Sequence, residues 1–413
     1  MKIRIVLAAL LVMVWSGCVE TPGSESWKQY QKDEFLEILK TDKYASICNQ
    51  QALYAKVKES ENSRLMSKLL LVYIRNLANG CIDLKSFETS QEEKQDNNIS
   101  TYYETYLQDV KVSSIMRKLR AGQSIENILK PYVPEYDQFF DLIKSHTLLK
   151  GEHNISTEML RKIRLNTERV KLMKPGLGEN YALVNIPEYV VRIIENKKTA
   201  VHMAVVVGKK RMQTPVFSAD LQDITLNPQW SVPDSIARNE VIPDLLKNPN
   251  YLTEKRMVMR SSYDLDSKEL TPDSVDLQAY AGGEGPVPFK FIEVPSAKNG
   301  LGRVKFIFPN QHSVYMHDTQ SKNLFKHKVR TYSHGCVRLA KPMAMLEHIS
   351  KNYTSNSAAE IKEWHDSLKT HHMGLNRRLP VHTTYLTTYV DEHGDLSVFN
   401  DIYGFDESQK LNF

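Results

Sequence analysis

Charge of one sign is scarce in this sequence: 54 basic residues against 49 acidic ones leave a net +5 over 413 positions. So even a balance leaves no electrostatic footprint for nucleic acid, and none is expected as a partner. Long apolar runs are scarce too. Ile5 to Trp15 makes a run of 11 residues, too short for a permanent membrane-spanning helix. Low-complexity tracts are missing, which leaves an ordinary globular composition and enough length for two domains with separate cores. Cysteine is the last scarcity, with Cys18, Cys48, Cys81 and Cys336 as the full set.

The N-terminus reads as an export signal. Met1-Lys2-Ile3-Arg4 is a short basic region ahead of the apolar run. Ser16-Gly17-Cys18 closes the run, and small residues before a cysteine resemble a bacterial lipobox. That resemblance implies a signal over residues 1–18, lipid on Cys18, and a periplasmic protein anchored to the outer membrane. Trp15 departs from the pattern, where a smaller aliphatic is usual. An ordinary cleaved signal with Cys18 incidental is the alternative.

In an oxidising compartment unassigned thiols tend to pair. If Cys18 carries lipid, Cys48 and Cys81, 33 positions apart, can bond to each other. Cys336 is then the lone thiol and a candidate reactive group.

Along the chain, residues 19–170 carry helical spacing and are expected as a scaffold domain able to recruit wall-synthesis proteins. Leu65, Leu69, Tyr73 and Leu77 form a stripe ended by Asn79-Gly80. Gln91 to Ser100 reads as a polar loop, and helical spacing resumes through Tyr103, Tyr106, Leu107 and Val110. The helix near Thr157 to Leu172 has a basic face, expected to be solvated. From Lys174-Pro175-Gly176 the period changes to that of strands: Tyr181–Ile186, Tyr189–Glu195, Thr199–Val207, Val216 toward Asn227, Val304–Phe308 and Ser313–His317. The fold class expected is α+β. A mostly β catalytic domain spans 178–352, with 231–295 inserted as a cap or lid. Residues 353–413 complete it with a helix and a hairpin formed by His382–Val390 and Leu396–Phe399.

The chemistry gathers at Tyr332-Ser333-His334-Gly335-Cys336-Val337-Arg338, with His317 lying 19 residues before the cysteine. A thiol needs a base, because free thiols are mostly protonated at neutral pH. His317 ends an alternating strand and is the candidate base. Gly335 can adopt a positive φ, and the bend would turn backbone N–H groups toward Sγ as an oxyanion hole. Arg338 is placed to pair with a substrate carboxylate or to brace the loop. His312 opens the same strand and is expected at the surface. His365, His371 and His372 lack the spacing of a metal site, so no metal or cofactor is expected.

Ser333-His334-Gly335-Cys336-Val337-Arg338 preceded by His317 resembles the signature of the YkuD-type L,D-transpeptidases. Gln213-Thr214-Pro215, Asn227 to Pro233, Ser235 to Arg238, Leu301 to Phe306, His317-Asp318-Thr319 and Asp401 to Gly404 resemble the larger YcbB-like branch. The resemblance covers Arg164 to Tyr403. It implies an acyltransferase in which Cys336 forms a thioester with a peptidoglycan tetrapeptide stem. A second stem then resolves it as a 3→3 cross-link, with His317 as base and acid. Water or a lipoprotein as acceptor would give carboxypeptidase or attachment chemistry instead, and an idle wall-binding scaffold is the non-enzymatic alternative. The resemblance also implies that Ser-His-Gly carbonyls hold the base, that His334 shapes the loop, and that Tyr332 and Ser333 line the site with Arg338. No segment resembles the wall-binding module of some relatives.

Overall fold

The computed structural model describes residues 27–176 and 178–413. The expected signal and Cys18 lie outside them. Helices come first: α1 Gln29–Lys40, α2 Gln51–Ser60, α3 Ser63–Asn79, α4 Leu84–Asp96, α5 Val112–Arg120, α6 Ile125–Leu129, α7 Asp137–Lys150 and α8 Thr157–Lys171. Among the described residues no helix is long and apolar enough to cross a membrane.

The chain divides into two compact units. The first holds residues up to Gly80, Gln108–Val133 and Phe413. Its centre is α3, whose Met66, Leu69, Leu70, Tyr73, Ile74 and Leu77 are fully buried. The Asn62 side chain accepts from the Arg64 and Leu65 N–H groups and starts the helix. Gly80, at φ +71°, ends it where the sequence places the cap. Cys48 and Cys81 are both disulfide-bonded.

The second unit spans Cys81–Leu107 and Pro134–Asn412, so α4, α7 and α8 fold with the strands and not with the first helices. Two local expectations are corrected here. The polar stretch from Gln91 is helical as far as Asp96, because Asp83 caps α4 and Phe87 and Gln91 fall one turn apart on its buried side. The aromatic stretch after Ser100 is extended: Ser100 bridges Met212 and Tyr103 bridges Val216. Tyr103 meets Phe87 and Phe405 edge-on, at 5.2 and 5.5 Å between centroids, and this tertiary packing overrides the helical spacing.

The basic face of α8 is also not solvated. Glu168, Arg169 and Lys171 are buried. Lys171 Nζ lies 3.0 Å from Glu168, and Arg169 lies 2.7 Å from Asp406, with Lys162 also on Asp406 at 3.3 Å. Opposite charges and amides brought in by residues 387–409 make this burial possible.

Strands β1 Asn180–Asn185, β2 Val190–Glu195, β3 Lys198–Gly208 and β4 Phe217–Leu226 precede the insertion. The insertion carries β5 Trp230–Ser231, a helical run from Asp234 to Lys247 with a π-turn at Ala237–Val241, then β6 Met257–Arg260, β7 Glu269–Leu270 and β8 Lys290–Glu293. After it come β9 Val304–Ile307, β10 Met316–His317, β11 Thr331–Ser333, β12 Val337–Leu339, helices α9 Pro342–Tyr353 and α10 Ala358–Asp366, and β13 His371–Thr384. The last strands are β14 Thr388–Val390 and β15 Leu396–Val398, followed by a helical turn at Phe405–Ser408.

The main sheet runs β11-β3-β12-β10-β9-β4-β13-β1-β2, and β2 also pairs with β3, so the sheet closes on itself. Closure leaves β11 paired to β3 alone and surrounds one apolar core, with Val184, Val205, Leu226, Phe306, Met316, Val337 and Leu339 inside. The terminal hairpin is shorter than expected. Residues 371–384 are instead a long strand between β4 and β1, and only β14 and β15 pair as a hairpin. The insertion has its own sheet, β5-β8-β6-β7, and its own core around Ile242, Phe289 and Phe291.

Candidate active site

The nucleophile and base candidates stand on neighbouring strands. β10 runs parallel to β12, with Met316 opposite Val337 and His317 opposite Arg338. Met316, Val337 and Leu339 are fully buried in the core. Strand alternation therefore sends Tyr315, His317, Cys336 and Arg338 to the other face. One register choice assembles all four.

The loop before the cysteine is held from several sides. Gly335 adopts φ +113°, a conformation that side chains other than hydrogen disfavour. The Ser333 hydroxyl donates to the Cys336 carbonyl at 2.5 Å and accepts from the Gly335 N–H at 3.2 Å. Thr214 Oγ1 donates to the Gly335 carbonyl at 2.8 Å and accepts from the Gly208 N–H at 2.9 Å. Among the described residues the Cys336 N–H makes no hydrogen bond, which leaves it for an oxyanion. Ser333 is buried and braces the loop from within, so it does not line a substrate surface. His334 is likewise engaged: Nε2 lies 2.5 Å from Glu240 Oε1, on the π-turn of the insertion, and 3.0 Å from Lys209 Nζ. Tyr332 is exposed, its ring 5.7 Å from that of His327.

The Cys336 thiol is free and half-buried. Sγ lies 3.9 Å from the Ser313 carbonyl, which a positive φ of +55° at Ser313 turns toward it. The same kink shortens the expected strand, which begins only at Met316. Tyr315 lies close enough to pull the thiol pKa down, and Lys305 Nζ sits 4.0 Å from the centre of the Tyr315 ring. Burial pushes the thiol pKa up, against the opposing pull of Tyr315, Lys305 and Arg338. At rest Cys336 is therefore a thiol.

His317 is buried, and burial followed by the Arg338 charge lowers its pKa to about 3, overriding the Asp318 and Leu301 carbonyls. Its Nδ1–H donates to the carbonyl of Asp318. That carbonyl fixes the ring, in place of the Ser-His-Gly carbonyls the resemblance implied. The Asp318 side chain accepts from the Arg303 N–H at 2.9 Å and the Thr319 N–H at 2.7 Å, and pairs with Lys322. Gly302, at φ +66°, is needed beside it, since a Cβ there would fall 2.2 Å from Asp318 Oδ2. A neutral imidazole is thus ready to accept a proton. Among the described residues no hydrogen bond yet joins it to Sγ.

Arg338 is half-buried, and among the described residues its Nε has no hydrogen-bond partner. Burial lowers its pKa and that of Lys305. Among the described residues neither cation is in an ion pair. His312 is not the surface residue expected. Its Nε2 lies 2.9 Å from Glu104 and its ring is 5.0 Å from those of Tyr102 and Phe217. His371 stacks on Trp364 at 5.2 Å, while His372 approaches Asp223 at 3.7 Å. Tyr315, Lys305, Thr214, Asp318 and Glu240 went unnoticed as site residues in the sequence. For Tyr315 and Lys305 a signal existed: both share strand parity with His317 or face it across β9 and β10.

Residues 179–357 match the family model described as the L,D-transpeptidase catalytic domain, YkuD. A Haemophilus influenzae protein assigned by name to the L,D-transpeptidases is 26% identical over 295 residues, covering 67% of this chain and 57% of its own length. The chain therefore spans little more than half of that relative. Among solved structures, an L,D-transpeptidase from Mycobacterium smegmatis aligns at 11% identity and TM-score 0.23, over 50% of this chain and 58% of that one. The catalytic domain of the Enterococcus faecium enzyme aligns at 14% identity and TM-score 0.22, over 50% of this chain and 99% of its own. Residues 179–357, with His317 and the Cys336 loop brought to one face by β10 and β12, are thus similar to the YkuD family of L,D-transpeptidase catalytic domains.

Proposed function

We propose that this chain is a peptidoglycan L,D-transpeptidase of the larger YcbB-like branch, forming 3→3 cross-links through a thioester on Cys336. Cys336 Sγ attacks the carbonyl that joins the third stem residue, a diamino acid, to the terminal D-Ala. The thiol proton passes to His317, and a C–S bond forms. The C–N bond then breaks as His317 returns the proton to the leaving D-Ala amine. The side-chain amine of a second stem attacks the thioester, an amide forms, and the thiol is restored.

The observation that carries this reading is the register of β10 on β12, which turns His317 and Cys336 to one face beside a Cys336 N–H uncommitted among the described residues; burial favours the neutral form of both side chains. Proton transfer then accompanies attack, and charge develops where donors already point. Two unpaired cations, Lys305 and Arg338, suit a donor stem bearing carboxylates, such as that of the terminal D-Ala. Export to the periplasm and a lipid anchor on Cys18 belong to the same proposal, as does recruitment of wall-synthesis proteins by the helical region.

The test is incubation with disaccharide-tetrapeptide, followed by mass spectrometry. Dimers and free D-Ala are expected, with a meropenem adduct on Cys336, and Cys336→Ala should yield none of these. Tripeptide products without dimers would make water the acceptor. Absence of both D-Ala and adduct would reject the enzymatic reading.

A further inference from the structure

The thiol of Cys336 leans on a loop whose outer support comes from a distant part of the chain. Sγ lies 3.9 Å from the Ser313 carbonyl, which Ser313 turns inward by adopting φ +55°. A serine disfavours this left-handed conformation, so its neighbours must hold it. From inside the loop, the Asn310 side chain accepts from the His312 and Val314 N–H groups at 3.0 and 3.2 Å. The same side chain donates to the Phe308 and Val314 carbonyls at 2.6 and 2.8 Å. From outside, the holder is Glu104. Its Oε1 accepts from His312 Nε2 at 2.9 Å and from Gln311 Nε2 at 2.8 Å. A carboxylate can only accept, so Nε2 of His312 carries a proton.

Glu104 is itself fixed. Its N–H donates to the Val216 carbonyl at 2.8 Å, and its Oε2 accepts from the Tyr106 hydroxyl at 2.7 Å. Burial by itself would raise the carboxyl pKa, but hydrogen bonds from Tyr106, His312 and Gln311 outweigh it and hold the group below its usual range. The His312 side chain is 5% exposed, and its ring lies 5.0 Å from those of Tyr102 and Phe217. The carboxylate therefore reaches the nucleophile through the His312 ring, the peptide bond to Ser313 and the Ser313 carbonyl.

We infer that Glu104 is a positioning residue for Cys336, acting through His312 and the Ser313 carbonyl. This rests on the transpeptidase reading and extends its machinery to a residue ahead of the matched segment, 179–357. The physical ground is orientation. Sγ can turn about the Cα–Cβ bond, and an acceptor fixed on one side selects one staggered position. The same carbonyl accepts from the thiol and opposes a thiolate, so it also favours the protonated form. Without the Glu104 bridge, Ser313 is free to relax toward an ordinary φ. Tyr315 stays, because the Val337 N–H holds its carbonyl at 3.0 Å. The thiol then loses its acceptor and keeps its other neighbours.

The experiment compares the full chain with Glu104→Ala, Glu104→Gln, His312→Ala and the double alanine variant. The Cys336 titration is read from iodoacetamide alkylation against pH, followed by mass spectrometry on the peptide that carries this cysteine. Meropenem acylation separates the limiting rate from the apparent Kd. In Glu104→Ala the alkylation midpoint should fall by about half a pH unit, while the limiting acylation rate drops about ten-fold at unchanged Kd. Glu104→Gln keeps an acceptor for His312 and should restore most of both. His312→Ala should match Glu104→Ala, and the double variant should lose no more than either alone. Where Glu104→Ala fails to fold, His312→Ala carries the same test. An unmoved midpoint and limiting rate in the alanine variants, whatever their Tm, would overturn the proposal by leaving the bridge a purely structural part. Additive losses in the double variant would overturn it too, since Glu104 would then act by a route other than His312. No meropenem acylation of the parent would instead reject the transpeptidase reading, while the alkylation midpoints still decide whether Glu104 positions the thiol.

Discussion

At Cys336 and His317 burial acts on both partners in the same sense, since it disfavours charge on each. The thiol is pushed up and the imidazole down to about 3, so the neutral pair is the resting state. Two outcomes follow for pH. A base whose pKa is lowered stays competent as pH falls through the usual histidine range, so the acid limb of meropenem acylation should lie well below pH 6.5. Alkylation of Cys336 by iodoacetamide should be slow at neutral pH and rise only above the ordinary thiol range. A stopped-flow pH series reads the first, and intact mass against time reads the second. An acid limb near 6.5 would mean that the imidazole is not held neutral by burial. Tyr315→Phe removes the hydroxyl that pulls the thiol pKa down and should lower the acylation rate by roughly 10²-fold, with binding little changed.

Elements hold these residues through close backbone approaches. A Cβ on Gly208 would fall 2.1 Å from the Met212 carbonyl and 2.6 Å from the Thr214 N–H, both backbone. Gly208→Ala should therefore displace Thr214 from the Gly335 carbonyl and slow acylation more than it lowers Tm. Measuring both on one preparation separates loop placement from general unfolding. The insertion touches the loop through Glu240, which His334 and Lys209 share. These partners are partly exposed, so the pairing is worth no more than about 1 kcal/mol to stability. Glu240→Gln should leave Tm nearly unchanged yet speed hydrogen exchange at the 333–336 loop and the π-turn. Unchanged exchange at both would show that the contact does not hold them together.

For the whole molecule, acid is the telling condition. His382 is buried, and burial lowers its pKa to about 3, as it does for His317. Unfolding lets both rings bind protons below about 6.5, so stability should fall as pH drops from there toward 3. Asp406 adds to this further down. Burial alone would raise its carboxyl, but Arg169 and Lys162 outweigh that and hold it below the usual range. A depressed carboxyl stabilises above its unfolded value and ceases to as pH falls through the folded one. Asp406→Asn leaves Arg169 buried with less compensation and should cost ~3–5 kcal/mol in urea unfolding at neutral pH.

Much of this protein was legible in the chain itself. Short-range patterns carry that information: the Leu65 to Leu77 stripe, the apolar strand runs of β1 to β3, and the adjacency of Gly335 and Cys336. Each depends on residues a few positions apart, so alternation and helical spacing report it directly. What tertiary structure decided involves partners far away in sequence. Tyr103 is extended because Val216 and Phe405 receive it, and the basic face of α8 is buried because Asp406 and Gln409 arrive to pair with it. His317 is fixed by a carbonyl beside it, but its neutral state comes from closing the sheet around it. A side chain's face can be read from alternation; whether that face meets water, an apolar core or an opposite charge is set only when the sheet closes.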